Sequence, residues 1–501
     1  MKEKFMKAKL KSVSAVLLAG LLLMTSILVS CSTNTPSISD DSNTTQVGTD
    51  NSGGEEYDGP LPDLPAVKYD GTTFRILTRT AGEYVDTQWP NDILVEESGQ
   101  DHISSAIYDR RLYMEEKYGI EFDLMTIDES VMQGEVLNAV RGGNDEYDII
   151  MNEGRIGFIY ASNGVLLDWN TNMTYCDLDQ PWWNASAREA FSIGDRLYCM
   201  IGDMSYLSLS FAWALYFNKQ LVKDYNLEEP YELVKNFEWT FDEFYEMATS
   251  CHDDLNGDGV MNYDDDLFGY ATNQYGGAVQ VIYSAGEKLI SNDEDGYPYA
   301  SYYKQSVVDA YDTFFSLVDM DTNFIYTSVE GRDGPSFENN RALFMDTYVG
   351  LMLDLRDMEA DFGVVPYPNF NENEDRYYAH VSVVSHVINI PVTAYDRRDM
   401  ISVLLEDMSY YGHRYIIPAF YDTVLTNQQT RDEETKQMLP YIKDGRVYDL
   451  GFFEVSLGEV SGLGATIANL TNHSLATWHG KNERLVEKKL ENLIEKYTGI
   501  E

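Results

Sequence analysis

From Tyr69 onward, apolar positions fall in two alternating rhythms. Thr73-Phe74-Arg75-Ile76-Leu77-Thr78 reads as a first strand. Ile103, Ile107, Met114 and Tyr118 then form one stripe at helical spacing, predicting a helix over 104–118 that stops at Gly119. Ile120–Ile127 alternates as a strand, Val131–Val140 reads as a helix, and Tyr147-Asp148-Ile149-Ile150-Met151 as a short buried strand. The order β-α-β-α-β is that of a parallel sheet with crossover helices. Ligands of such sheets bind beyond the carboxyl ends of the strands. Asn152 and Glu153 sit just past the third strand, so they are either ligand contacts or members of an ordinary polar loop.

Ala212–Asn218 is the next strong strand, and a helix-rich stretch follows it. Thr240-Phe241-Asp242-Glu243 has the form of a capping box, with Trp239 and Phe244 placed as a hydrophobic staple. Asp361–Pro366 reads as a late strand, and helical patterns resume over 399–411 and 482–497. There is no internal repeat. A chain of 501 residues is long for one core and suits two lobes. The expected organisation is a first lobe over approximately 66–200 plus a later return segment, and a second over 220–370 plus parts of the C-terminal region. Two crossings between lobes follow from that order.

Residues before Tyr69 follow a different pattern. Lys2, Lys4, Lys7, Lys9 and Lys11 precede an apolar run from Val13 to about Val29, the order of an export signal. Leu28-Val29-Ser30-Cys31 resembles the bacterial lipobox, which implies cleavage after residue 30 and acylation of Cys31. Two acyl chains would hold the protein to the outer face of the plasma membrane. Residues 31–65, rich in Ser, Thr, Asn, Asp, Gly and Pro, read as a flexible tether. With 83 acidic against 36 basic residues the formal net charge is −47, which argues against nucleic-acid binding. Cys176, Cys199 and Cys251 are too few and odd in number for a disulfide framework, and read as small buried thiols.

Two features bear on chemistry. Asp254-Leu255-Asn256-Gly257-Asp258-Gly259-Val260-Met261-Asn262-Tyr263-Asp264-Asp265 has the spacing of an EF-hand-type calcium loop. Asp254, Asn256, Asp258, the Val260 carbonyl, Asn262 and Asp265 would supply the oxygens a hard cation needs, for a structural Ca2+ ion; the alternative is an acidic surface turn. The aromatics are the second feature: the adjacent Trp182 and Trp183, with Trp89, Tyr206, Trp213, Tyr275, Tyr348 and Trp478. Such rings complement the apolar faces of sugars, although packing accounts for most aromatics in any chain. No H-E-x-x-H, P-loop or G-x-S-x-G motif is present, and nothing selects a pair of glycosidase carboxylates from so many acids.

Several stretches are similar to one family in order and spacing. Leu215-Tyr216-Phe217-Asn218-Lys219, Glu238–Phe244, Asp258-Gly259 followed by Leu267-Phe268-Gly269-Tyr270, Asn340–Tyr348 and Asp361–Pro368 resemble segments of the extracellular solute-binding proteins of ABC importers, of the maltose-binding-protein-like, carbohydrate-binding type. The resemblance runs across most of residues 70–410. It implies an α/β, two-lobed periplasmic-binding-protein-like fold (type II) with a helix-rich second lobe and a hinge. It further implies a monomer without enzymatic activity that closes on an oligosaccharide and delivers it to an importer's membrane permease. Tyr348 stands where the family carries a stacking aromatic. Asn152, Glu153, Asp203, Tyr206, Asn273 and Tyr275 are the further ligand contacts expected, and Trp182 and Trp183 are added for their aromatic character alone. A lipid-anchored glycoside hydrolase and a surface glycan-adhesion protein are the competing readings.

Overall fold

The computed structural model describes residues 58–80, 91–99, 101–262, 265–320, 323–326, 335–353, 355, 358–371, 374–426 and 433–499. The export signal, Cys31, most of the expected tether and Trp89 lie outside the described residues. All elements below belong to the unit Pro60–Glu501.

The first sheet holds β1 (Thr72–Arg79), β2 (Ile120–Ile127), β3 (Ile149–Glu153) and β4 (Cys199–Met200). The second holds β5 (Trp213–Asn218), β6 (Phe268–Asn273), β9 (Asn323–Tyr326), β10 (Ala342–Tyr348) and β11 (Phe362–Val365). A hairpin, β7 (Ile290–Asn292) with β8 (Pro298–Ala300), and a parallel ribbon, β12 (Ala379–His380) with β14 (Arg446–Val447), complete the strands with β13 (His386–Asn389). Strand order is β2-β1-β3-β13-β4 in the first sheet and β11-β5-β10-β6-β9 in the second.

β1, β2 and β3 are parallel, as the alternating helices required. The chain leaves the first sheet after β4, builds the second, and returns antiparallel to β3 as β13. Two crossing segments, 201–212 and 366–385, therefore join the sheets, and Ala212 pairs with Val381 where they meet. The second sheet is thus built between β4 and β13 of the first.

Local chemistry explains the elements. Asp101 caps the helix His102–Tyr118 by accepting from Ser104 N, and Gly119 ends it in the left-handed region at φ 68°. Ile103, Ile107, Met114 and Tyr118 are its buried stripe. Thr240 caps the helix Phe241–Ser250, its hydroxyl accepting from Glu243 N, while Trp239 meets Phe244 edge-on at 6.2 Å. The last helix, Leu475–Thr498, starts earlier than expected because Ser474 supplies its cap; Val486, Leu490, Leu493 and Tyr497 face the core. Trp478 belongs to that core too, edge-on to Tyr302. Cys176, Cys199 and Cys251 are free thiols, and burial pushes Cys251 up to about 12. Among the described residues no helix is long and apolar enough to cross a membrane.

Candidate functional site

The carboxyl ends of the parallel strands in the two sheets define a pair of faces joined by the crossings. On the first, Arg79 ends β1, Glu129 follows β2, and Glu153 ends β3 opposite His386. Glu153 also occupies the cap position of the helix Gly154–Ser162 without capping it, so its carboxylate is left for Arg79. Arg79 Nη1 donates to Glu129 Oε1 (2.9 Å) and lies 3.7 Å from Glu153 Oε2, while Nη2 donates to the Val384 carbonyl on the second crossing (2.5 Å). Burial, and then the neighbouring Glu129, push the Glu153 carboxyl up to about 7 against the pull of Arg79 and Arg155.

On the second face, Trp213 opens β5 directly opposite Tyr348, which closes β10, and Asn273 closes the neighbouring β6. Trp213 Nε1 donates to Asp346 Oδ2 (2.8 Å). Asp346 is fully buried, and that burial raises it to about 6. Gly276 is required beside this pair: a Cβ there would stand 2.7 Å from the indole and 2.8 Å from Asp346 Oδ2.

A chain of rings connects the faces. Phe211 and Trp213 flank Tyr348 at 5.3 and 6.4 Å. The Trp213 indole stacks on His380 at 4.8 Å, His380 meets Phe452 edge-on at 5.8 Å, and the Arg155 guanidinium lies 5.9 Å over Phe452. Gln280 Oε1 accepts from the backbone N–H of His380 (3.0 Å) and bonds its ring Nδ1 (2.8 Å). Burial pushes His380 down to about 3, so the ring is neutral. Phe211, Trp213, His380 and Phe452 are buried, so they back Tyr348, the one partly exposed ring of the chain, and the lobe-one side offers paired carboxylates and guanidinium groups. That is the composition a polyhydroxylated ring requires: flat carbon surface below, charged acceptors and donors for hydroxyls at the side.

The expected ligand residues divide between this cleft and the core. Glu153, Asn273, Tyr275 and Tyr348 lie at the strand ends that form the two faces, with Tyr275 half exposed and Asn273 Oδ1 accepting from Tyr275 N. Asn152 is fully buried; its amide donates to the Glu153 carbonyl and accepts from Asn389, which ties β3 to β13. Tyr206 is buried against Phe420, and Trp182 is buried edge-on to Tyr410. For these three the expected ligand contact is corrected: no ring or amide surface is left for a solute. Trp183 is also buried and donates its indole N–H to Glu406. Asp203 holds His413 in a separate cavity. Arg79, Glu129, Arg155, His380 and Phe452 were missed. Position alone could have found the first three, since each follows or ends a strand on the ligand side. His380 and Phe452 carried no sequence sign.

In the calcium-like loop, Asp254 accepts from the amides of Gly257 and Gly259 (both 2.7 Å), Asn256 from Asp258 N and Asp258 from Val260 N (both 2.8 Å). Gly257 and Gly259 take φ of 72° and 82°, which suit glycine. Buried Asp266 closes the base through Leu255 N and Asn262 N, while Asn262 donates weakly to Asp265 (3.4 Å). The oxygen-only donor set fits calcium in chemistry. Among the described residues, though, no three His, Cys, Asp or Glu side chains are drawn together as a metal cluster.

The fold and the cleft define a two-lobed α/β receptor for a small solute. The sequence pattern of bacterial extracellular solute-binding proteins matches residues 97–388, more than half of the chain. The chain belongs to that family, and its place of work is extracellular or periplasmic. Among solved structures, it is similar to the ABC substrate-binding protein Lmo0181 of Listeria monocytogenes in complex with cycloalternan: 15% identity, 86% of this chain and 100% of the other, TM-score 0.51. UspC of M. tuberculosis is similar at 14% identity over 86% of this chain and 100% of that one, TM-score 0.51. A cyclo/maltodextrin-binding protein complexed with maltotetraose is similar at 12% identity over 86% and 98%, TM-score 0.51. At such identities these likenesses establish the fold. No curated protein matches the chain.

Proposed function

We propose that this protein captures an oligosaccharide between its lobes and delivers it to an ABC importer, without chemistry of its own. The observation that carries the reading is the partly exposed ring of Tyr348 at the end of β10, backed by the buried rings of Trp213, His380 and Phe452, together with the charged groups at the ends of β1 and β3. The names of two structural relatives, bound to cycloalternan and maltotetraose, support a sugar of several rings. The closing motion supplies two states, of which the sugar selects one and the permease reads it. In the same reading, Cys31 carries the lipid that holds the monomeric protein to the outer face of the plasma membrane, and the loop from Asp254 to Asp265 binds a structural calcium ion.

The test is thermal unfolding against a panel of linear and cyclic oligosaccharides, with and without calcium. A ligand that binds only the folded state raises the midpoint by mass action. Recovery of the bound glycan intact supports capture. A cleaved glycan makes the protein a hydrolase, and a panel without any shift removes the carbohydrate assignment.

A further inference from the structure

Apart from the ring chain, with which it shares no lining residue, lies a cavity of about 320 Å3. Trp183, Asp203, His413, Lys443, Asp444 and Arg446 are among the residues that line it. It is separate from the cleft for a geometric reason. In the ribbon β12/β14, Ala379 pairs with Arg446 and His380 with Val447. Successive side chains of a strand point to opposite faces. His380 therefore faces the cleft stack, and Arg446 faces the other way, into the cavity.

The cavity walls hold polar groups with open valences. Arg446, nine-tenths buried, donates Nη1 to Ser208 Oγ (2.7 Å) and Nε to the Lys443 carbonyl (3.0 Å). The Tyr448 hydroxyl also lies within hydrogen-bonding reach of this guanidinium. Asp203, nearly buried on the first crossing, turns Oδ2 to His413 Nδ1 (2.7 Å) and leaves Oδ1 without a partner among the described residues. The His413 contact depends on a turn of π-helix, Gly412–Ile416, and on Gly412, where a Cβ would collide with the Asp203 carbonyl. Outside the lining, the Tyr421 hydroxyl is buried without a partner and lies within electrostatic reach of Arg446, Asp203 and Asp444.

Two cations, Lys443 and Arg446, stand against two carboxylates, Asp203 and Asp444. Such a balance favours neither an anion nor a cation. It suits groups that both donate and accept, which is what hydroxyls do. The volume is at the lower end of ligand pockets, enough for one ring or a short polyol and too small for an oligosaccharide. We propose that this cavity is a second ligand site, for a single neutral polyhydroxylated molecule, braced between the first crossing at Asp203 and the ribbon at Arg446.

Equilibrium dialysis of the full-length protein against D-glucose, ribitol and myo-inositol tests it, with maltotriose added at saturation to fill the cleft. At least one of the three is expected to bind with a dissociation constant in the millimolar range or tighter. Ser186 also lines the cavity, so Ser186→Phe, which fills it from the wall, and Arg446→Lys, which removes the guanidinium fork, are each expected to weaken that binding at least about tenfold. Either variant suffices if the other fails to fold. The proposal is overturned if none of the three binds, if acetate or phosphate binds in their place, or if a folded variant binds as tightly as the parent. Maltotriose binding is read separately, so loss of the second site does not count against the cleft.

Discussion

The Trp213 indole lies on the neutral His380 ring at 4.8 Å and 21°, and its N–H reaches the buried carboxylate of Asp346. One side chain thus ties a lobe-two strand to the returning crossing and donates to one oxygen of a carboxylate that burial has raised to about 6. Trp213→Phe keeps a ring but removes the donor. It is expected to cost about 1–3 kcal/mol, the penalty of a buried acceptor left unsatisfied. Denaturant unfolding reads this. In the background of Asp346→Asn, which no longer buries a charge, the same substitution should cost less. Equal costs in both backgrounds would remove the hydrogen bond as the cause.

Tyr348 is only partly buried, so its ring has surface left for a solute. Tyr348→Ala is expected to weaken oligosaccharide binding about three- to tenfold, the worth of one ring contact. Calorimetric titration with the best glycan of the panel measures it. Unchanged affinity would move the stacking floor elsewhere along the ring chain.

The Glu153 carboxyl titrates between its ordinary 4.5 in the unfolded chain and about 7 in the folded one. A raised carboxyl means that the folded state holds the proton more tightly. Its contribution is therefore present below pH 4.5 and lost as pH rises towards about 7. Glu153→Gln removes this titration. The variant's melting temperature should match the parent's near pH 4.5 and exceed it increasingly up to about pH 7, with no further divergence above. Glu406, which burial also raises to about 7, is common to both proteins and cancels in the difference. A difference that is flat with pH would show that Glu153 ionises freely.

How much of this was legible in the sequence follows from the range of each interaction. Strand and helix order is local: the apolar rhythm of Phe74–Leu77, the cap at Thr240 and the stop at Gly119 each depend on neighbours within a few residues, and each is found in the structure. The cleft is not local. His380 and Trp213 are far apart in the chain, and only the inserted topology brings them together. Adjacent tryptophans attract attention in a sequence, yet Trp183 gives its N–H to Glu406, more than two hundred residues away, and that partner is what makes it a core residue. The rule that ligands lie past strand ends pointed to Glu153, which the structure places at the end of β3 and which is proposed as a ligand contact. One residue earlier, the alternation of side chains turned Asn152 into the sheet.

Asn152 therefore offers a test of that placement. Its amide bonds Asn389 at 2.8 Å and the Glu153 carbonyl at 2.7 Å from a fully buried position. Asn152→Ala should lower stability by about 0.5–1.5 kcal/mol, because Asn389 loses one of three buried acceptors and keeps the Ile150 and Val387 carbonyls. Affinity for the glycan should stay within about twofold, a change too small to register as a lost contact. A large loss of affinity at unchanged stability would return Asn152 to the ligand.

The loop from Asp254 to Asp265 separates two explanations of one sequence pattern. Its carboxylates hold the loop's own amides, as an acidic turn does, and its oxygens also match what calcium takes. If the ion binds, calcium raises the melting temperature and EGTA reverses the rise, because binding to the folded state alone is stabilising. Asp258→Ala should then abolish the calcium response while removing only two exposed turn contacts, from Val260 N and from the Asn256 amide, in the absence of the ion. If the pattern is a turn alone, calcium has no effect on the parent. Magnesium discriminates further: it demands a tighter octahedron and keeps its water, so a response to calcium that magnesium does not reproduce at equal concentration identifies a coordination site, and equal responses identify general screening of an acidic surface.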